Sequence, residues 1–179
     1  MSVVFFFSFV EGRSSTRKLH PVEMKLSLLS PILAAGTALS SVLDARAVVS
    51  DCLAASNITV DVPGTDAWTL DATVFNSRIP FVPLTVAVPS SIEQVQAAVA
   101  CGVKHGVKVT PKCGGHSWAN FGFGGEDGHL IVELDQLHKV TLDNKTNIAI
   151  VQGGSRLGHV AYELYNQGKR AISHGTCPG

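Results

Sequence analysis

The sequence predicts an α+β fold, because a strand–helix–strand opening is followed by closely spaced strands instead of further strand–helix units. Residues 84–88 form a short run rich in β-branched side chains that ends at Pro89, which indicates a strand. Ser90 and Glu93 then have the spacing of a capping box, and Gly106 is the expected helix stop. The helix between them is predicted from apolar residues at helical spacing, namely Ile92, Val95, Val99 and Val103.

The second half of the chain alternates short strands with one more helix. A strand over residues 107–110 should end at Pro111, because proline cannot donate to a strand ladder. Three further extended segments are predicted at residues 129–134, 137–142 and 147–152. A helix over residues 155–167 should stop at Gly168. Its apolar face would consist of Leu157, Val160, Ala161 and Leu164.

Composition excludes several classes of protein. The 179 residues carry 14 basic and 14 acidic side chains, so no net field favours nucleic acid or anionic lipid. A hydrophobic fraction of 45% with 16% charged residues argues against disorder. Many of the 17 glycines lie within residues 113–128 and 153–158, which predicts loops whose backbone closely approaches a ligand.

The amino end is typical of a targeting segment. Lys25 precedes an apolar run, and Ala45, Arg46 and Ala47 form a small-x-small cleavage pattern. Residues 24–47 are therefore predicted to be a signal peptide, with a mature chain beginning near Val48. A membrane anchor is the weaker alternative, because Ser, Thr, Gly and Pro dilute the run. Residues 1–23 are interpreted as an extension introduced by gene prediction, with the true start at residue 24.

Export determines how the cysteines are interpreted. In an oxidising compartment at least two of the four should form a disulfide, and three connectivities are open. The cysteines are Cys52, Cys101, Cys113 and Cys177. Two glycosylation sequons, at Asn57 and Asn144, agree with a secreted, extracellular protein.

Two short motifs indicate a ligand site. Residues 111–117 have the sequence Pro-Lys-Cys-Gly-Gly-His-Ser, in which glycine amides could surround an anion such as a pyrophosphate and His116 could reach a bound ligand. Residues 174–178, His-Gly-Thr-Cys-Pro, place Cys177 on a turn. The usual dinucleotide and Walker motifs are missing. The glycine pair at residues 153–154 could face a phosphate at a helix start, or form only a tight turn.

Several motifs together resemble the fungal gluco-oligosaccharide oxidases, which are berberine-bridge-enzyme-like flavoproteins of the vanillyl-alcohol-oxidase fold. The motifs are Gly114-Gly115-His116-Ser117, residues 121–130, Gln152-Gly153-Gly154 and residues 171–178. The resemblance runs from about Cys52 to Pro178 and implies an incomplete FAD-binding domain of the PCMH type over residues 80–179. Residues 48–79 would be the amino-terminal segment of the mature chain.

The resemblance also implies roles for individual residues. His116 would bond the 8α-methyl carbon of the flavin, Cys177 would bond its C6 atom, and Cys52 would pair with Cys101, leaving Cys113 free. A neutral imidazole and a thiolate are suitable nucleophiles for those two electrophilic carbons. The implied cofactor-binding set is His116, Cys177, Cys113, Gly114, Gly115, Ser117, Gly175 and Thr176. A zinc site is a remote alternative, because its spacing is poor; it would use Cys101, His105, Cys113 and His116.

The implied activity is oxidation of the anomeric hydroxyl of reducing-end sugars to a lactone, with O2 reduced to H2O2. The partners would be a carbohydrate and O2, the protein would be a monomer, and no membrane contact is expected after signal cleavage. Relatives continue beyond the position of Pro178, so we expect a truncated chain with no catalytic base and no stable flavin. Alternatives are oxidation of a secondary metabolite on the same fold and an inactive flavin-binding remnant.

Overall fold

The computed structural model describes residues 32–176, which form an α+β arrangement. A four-stranded sheet contains β1 (Thr59–Asp61), β2 (Thr85–Val88), β3 (Val109–Lys112) and β4 (Leu130–Glu133), and a separate hairpin contains β5 (Val140–Asp143) and β6 (Ile148–Val151). The helices are α1 (Ile32–Ala55), α2 (Asp66–Asp71), α3 (Ile92–Lys104) and α4 (Leu157–Gly168), with a 3-10 turn at Phe121–Phe123. The predicted fold class is confirmed.

The four-stranded sheet has the order β1-β2-β4-β3. Strands β2, β4 and β3 are parallel, and β1 is antiparallel to β2. Helix α3 connects β2 to β3, as a parallel pair separated by one strand requires a crossover. All four residues of β4 are buried, since this strand lies in the centre of the sheet. The register places Lys112 of β3 beside Glu133 of β4.

The sheet is covered on both faces. Helices α1 and α3 pack on one face, where Val49, Leu53 and Leu130 are fully buried. The segment from α2 onward and the 3-10 turn cover the other face, where Val86, Phe123 and Ile131 form a second cluster. Residues 48–79 are therefore part of the same core as the strands that follow.

A disulfide joins the two helices on the first face. Cys52 of α1 and Cys101 of α3 are bonded, with their Cα atoms 5.9 Å apart. This confirms the pairing that the family resemblance implied, and it means that the Cys101 thiolate is not available to the zinc alternative.

Helix α3 presents a different face to the sheet from the one predicted. Ala98, Cys101 and Gly102 are its buried residues, whereas 58% of Ile92 and 74% of Val103 remain exposed. A Cβ on Gly102 would overlap the Val109 side chain. The helix therefore approaches the sheet so closely that only small side chains fit between them.

Two predicted boundaries also differ. Ser91, not Ser90, is the N-cap of α3, and its Oγ accepts from the Gln94 amide at 3.2 Å. Gln94 Oε1 accepts in return from the Ser90 amide at 2.7 Å, so the capping box is shifted by one residue. Pro111 lies inside β3 and does not end it, because β3 is an edge strand, where a missing N–H donor is tolerated.

Helix α4 packs on the β5–β6 hairpin. Val160 and Leu164 of α4 are buried against Val140, Leu142 and Ala149, which confirms part of its predicted apolar face. The helix includes Gly168, and the left-handed Lys169, at φ 53°, ends it. Gly168 is needed for space, since a Cβ there would overlap Asn144 Oδ1.

Helix α1 extends across the predicted processing site between Ala47 and Val48. Val49 and Leu53, which follow this site, are fully buried in the first core cluster. Arg46, which precedes it, donates from Nε to Leu84 O at 2.6 Å. Within residues 32–176, no helix combines the length and the apolarity needed to cross a membrane.

Candidate functional site

One cavity brings together the two motifs that the sequence singled out. It has a volume of about 320 Å³ and lies between the glycine-rich loop after β3, the start of α4 and the last described residues. The residues that line it are Gly114, His116, Ser155, Arg156, Leu157, Gly175 and Thr176. Four predicted site residues thus share one cavity, although Gly114 and His116 lie about sixty positions before Gly175 and Thr176 in the chain. Cys177 lies outside the described residues, directly after Thr176.

The glycine-rich loop has no room for side chains at its centre. A Cβ on Gly114 would lie 2.6 Å from both Arg156 Nη1 and His116 Cε1. Gly115 has φ +69°, a left-handed conformation that glycine adopts without steric cost. The loop therefore brings the Gly114 backbone close to Arg156 and leaves the His116 imidazole exposed beside the cavity.

A buried asparagine fixes this loop to the segment after α2. Asn120 is fully buried with φ 53°, and its Oδ1 accepts from the Asn76 amide at 3.0 Å. Its Nδ2 donates to Asn76 O at 2.8 Å and to Ile79 O at 2.6 Å. The sequence analysis missed Asn120. The only feature of the sequence that pointed to this residue was that asparagine, in a glycine-rich loop, tolerates the left-handed conformation.

Aromatic side chains border the histidine. The Phe75 ring meets His116 edge-on, with centroids 6.0 Å apart, and meets Trp118 at 5.3 Å. Trp118 is 78% exposed. His116 is thus positioned by the backbone and by an aromatic edge while its ring remains accessible.

Two predicted site residues line neither this cavity nor the larger one beside it. Ser117 Oγ accepts from the Phe121 amide at 3.3 Å and so supports the following turn. The Cys113 thiol forms no disulfide within the described residues. Although the residue is exposed, partial burial of the thiol raises its pKa; the Glu133 charge adds to this effect, and Arg156 opposes it. A raised pKa disfavours the thiolate, the reactive form of cysteine.

A second, larger cavity of about 840 Å³ adjoins the first. Gly114 and Arg156 line both cavities, so the two are contiguous. Its further lining includes four carboxylates, one ammonium group and three apolar side chains, namely Asp66, Asp71, Glu133, Asp135, Lys112, Leu70, Val74 and Phe75. The sequence analysis did not identify Arg156 or this carboxylate cluster, because they become neighbours only through the sheet register and the packing of α2 and α4.

A buried ion pair lies at the base of the larger cavity. Lys112 Nζ contacts Glu133 Oε2, and the Glu133 side chain is 2% exposed. The same ammonium lies 3.7 Å from Asp71 Oδ1. Burial raises the pKa of Glu133, while the hydrogen bond and charge of Lys112 act in the opposite direction.

The smaller cavity is bordered by two loops and by the start of a helix. His116 and Thr176 both line it. Helix α4 begins here with Arg156 as N-cap and no side-chain cap, and its Val160 amide donates to Arg156 O at 3.0 Å. The amides before Val160 have no carbonyl partner within the helix and favour an anion. Gly154, in contrast, packs against Leu134, so the glycine pair forms the tight turn.

The chain was compared with known protein families, curated proteins and solved structures. A family model described as FAD binding domain matches residues 83–178, which is more than half of the chain. The matched segment includes every residue that lines the smaller cavity, whereas residues 66–75, which help to line the larger cavity, precede it.

Several relatives of the chain are oligosaccharide oxidases. A chitooligosaccharide oxidase of Gibberella zeae is 52% identical over 140 residues, covering 78% of this chain and 28% of that protein. A xylooligosaccharide oxidase structure from Myceliophthora thermophila C1, in complex with xylobiose, aligns with a TM-score of 0.69 at 53% identity, covering 73% of this chain and 28% of that one.

A third relative has an FAD that is bonded to a cysteine and to a histidine. The structure of a glucooligosaccharide oxidase from Acremonium strictum with 6-S-cysteinyl, 8α-N1-histidyl FAD aligns with a TM-score of 0.70 at 46% identity, covering 73% of this chain and 27% of that one. This chain spans about 30% of the length of the curated relatives it matches.

Proposed function

Because the chain belongs to the FAD-binding-domain family of these oxidases, we propose that it supplies part of the flavin site of a carbohydrate oxidase. The observation that best supports this proposal is that His116, Gly175 and Thr176 line the same cavity. When bound, FAD would accept a hydride from the substrate and pass the electrons to O2. The residues of this chain would bind and orient the flavin.

Two covalent attachments form part of this proposal. His116 would bond the 8α position and Cys177 the C6 position, as in the histidyl and cysteinyl FAD of the A. strictum relative. The exposed imidazole and the position of Thr176 at the same cavity support this assignment. Two bonds from residues in separate segments of the chain would fix the ring without enclosing it, which leaves access for a bulky substrate.

The substrate would be a reducing-end oligosaccharide. The support comes from the relatives, which act on chito-, xylo- and glucooligosaccharides, and from the xylobiose complex of one of them. We propose that the anomeric hydroxyl is oxidised to a lactone and O2 is reduced to H2O2. None of the described residues is assigned the role of base.

Secretion is the remaining part of the proposal. The small-x-small pattern at Ala45–Ala47, the sequons at Asn57 and Asn144 and the disulfide support export with processing before Val48. Such processing would retain Val49 and Leu53, which the core requires. Amino-terminal sequencing of secreted protein should begin near residue 48, and an intact Met1 terminus would contradict this assignment.

The covalent attachment can be tested by acid precipitation of the flavin-loaded protein that carries this chain. His116→Ala and Cys177→Ala should each leave a yellow precipitate, because one bond remains. The double variant should release FAD into the supernatant. His105→Ala, a histidine that lines neither cavity, is the matched control and should retain both bonds. Flavin that stays in the precipitate of the double variant would contradict the assignment of these two residues.

A further inference from the structure

The His116 ring is held by packing and not by hydrogen bonds. Within residues 32–176, four other histidine rings form hydrogen bonds, whereas the His116 ring forms none. Its Cε1 and Nδ1 atoms would lie 2.6 Å and 2.7 Å from a Cβ on Gly114, so the loop backbone lies against this side of the ring. The Phe75 ring meets the imidazole edge-on, with centroids 6.0 Å apart. Phe75 and the Gly114 backbone therefore restrict the orientation of the imidazole.

Phe75 is itself held in place by a pair of asparagines. Oδ1 of the buried Asn120 accepts from the Asn76 amide at 3.0 Å, and Asn120 Nδ2 donates to Asn76 O at 2.8 Å. Asn76 Nδ2 donates in turn to Trp118 O at 2.8 Å. The Phe75 ring also meets the Trp118 ring edge-on, at 5.3 Å. The two asparagines thus join the backbone beside Phe75 to the loop that carries His116.

The orientation of the imidazole matters for the bond that His116 would form. Attachment would replace a C–H bond of the flavin 8α-methyl group and the N–H bond of the imidazole by a C–N bond. The two protons and two electrons released would pass to O2, which becomes H2O2. Because a nucleophile reacts readily only when it is already aligned with the atom it attacks, contacts that restrict the imidazole should accelerate this step.

We propose that Phe75, held by the Asn76–Asn120 pair, is a positioning residue that orients the His116 imidazole for its bond to the flavin. This inference rests on the proposed function, which assigns that bond to His116. Phe75 precedes the segment that matches the FAD binding domain, residues 83–178. It lines the larger cavity but not the smaller one, to which Thr176 leads the chain, so attachment at Cys177 should not depend on it.

The test follows the two attachments separately in the protein that carries this chain. Cys177→Ala leaves the histidyl bond as the only attachment, and His116→Ala leaves only the cysteinyl bond. Apoprotein of each background is mixed with FAD, and the flavin retained in an acid precipitate is measured over time. Phe75→Leu should slow histidyl attachment about threefold or more, as expected for the loss of an edge-on aromatic contact. It should leave the rate of cysteinyl attachment unchanged.

Two substitutions of phenylalanine serve as controls. Phe75→Tyr retains the ring edge and should attach flavin at the parent rate. Phe121→Leu is the matched control, because Phe121 follows His116 in the same loop, is 70% exposed and has no ring contact with His116 in the described part of the chain. It should leave both attachment rates unchanged.

The asparagine pair is tested by Asn120→Asp. Its carboxylate still accepts from the Asn76 amide but cannot donate to Asn76 O, so histidyl attachment should slow while cysteinyl attachment does not. Circular dichroism identifies variants that fold. If Asn120→Asp does not fold, Asn76→Ala, which removes the bond to Trp118 O, replaces it with the same expected result.

The outcomes separate this inference from the proposed function. A parent rate of histidyl attachment in Phe75→Leu would overturn the positioning role. Equal slowing of the histidyl and cysteinyl attachments would also overturn it, because the substitution would then act on the flavin site as a whole. Absence of acid-stable flavin from the protein with Cys177→Ala alone would instead contradict the assignment of His116 in the proposed function.

Discussion

At the scale of single residues, the main electrostatic feature is the protonation of the buried carboxyl group of Asp61. Asp61, at the end of β1, is 7% exposed, and its Oδ2 has no partner among the described residues. Burial raises the pKa of Asp61 to about 6, and a hydrogen bond with Asp71 and the charges of Asp71, Asp135 and Glu133 act in the same direction. Lys112 is the nearby cation, 3.7 Å from Asp71. The Asp61 carboxyl group is therefore protonated at a higher pH than an ordinary aspartate, because its pKa is raised.

This pKa has a consequence for stability. Since the folded pKa of Asp61, about 6, exceeds the unfolded value near 4, the folded state binds more protons between these pH values. Stability should fall as pH rises through this window, and the full penalty applies above about pH 6. Asp61→Asn retains a neutral side chain, so it should stabilise the protein at pH 8 by about 1–3 kcal/mol. The difference should vanish near pH 4.

Urea unfolding of both proteins from pH 4 to pH 8 would measure this. Asp51→Asn, at an exposed position of α1, is the matched control and should leave the pH dependence of stability as it is in the parent. A constant stability difference between Asp61→Asn and the parent across the range would show that the carboxyl does not change its protonation there.

Residue-level prediction was possible only where the local sequence itself marks a residue. His116 and the glycines beside it were identified because a glycine-rich loop ending in histidine is itself a signal. Asn120, Arg156 and Glu133 were not, since their roles depend on partners that lie 21 or more positions away in the chain. Only the packed sheet shows that Glu133 is buried with one oxygen unpaired.

At the scale of elements, α3 shows how packing distance overrides a periodic pattern. Its apolar residues and its small residues both recur at helical spacing, so the sequence offers two possible buried faces. The structure buries Ala98, Cys101 and Gly102, because the disulfide and the close approach to Val109 leave no space for larger groups. Separation between a helix and a sheet cannot be inferred from hydrophobic spacing alone.

Adjacent positions of α3 should therefore differ in how strongly alanine changes the stability of the protein. Gly102→Ala, although it raises helix propensity, forces a methyl group into Val109 and should destabilise the protein by about 1–3 kcal/mol. Val103→Ala removes a larger but exposed side chain and should change stability by less than about 0.5 kcal/mol. Urea unfolding measures both. A larger loss for Val103→Ala would mean that the predicted apolar face is the buried one.

At the scale of the whole molecule, the four-stranded sheet and the β5–β6 hairpin differ in how the edges of their strands are hydrogen-bonded. Strand β4 has neighbours on both sides and so presents no open edge. The outer edge of β5 is bonded by a side chain, because Gln167 of α4 accepts from the Leu142 amide and donates to Val140 O, each at 2.9 Å. In the described part of the chain, β6 has no second strand neighbour.

Strand β6 also exposes apolar side chains next to its open edge. Ile148 and Ile150 point away from α4 and are 44% and 70% exposed. An exposed edge with isoleucines on its open face is a template for pairing with a second chain. We therefore expect the 179-residue chain to aggregate through this strand and not through the strands of the main sheet.

Ile150→Lys should increase the soluble fraction of the 179-residue chain, because a charge beside the open edge opposes strand pairing. Val103→Lys is the matched control: Val103 is 74% exposed, similar to Ile150, but lies on α3, whose backbone groups are bonded within the helix. General surface hydrophobicity would predict equal gains from the two substitutions, whereas edge pairing predicts a gain for Ile150→Lys alone. Sedimentation of expressed protein at matched concentration distinguishes them, and a gain for Val103→Lys equal to that for Ile150→Lys would remove β6 as the cause.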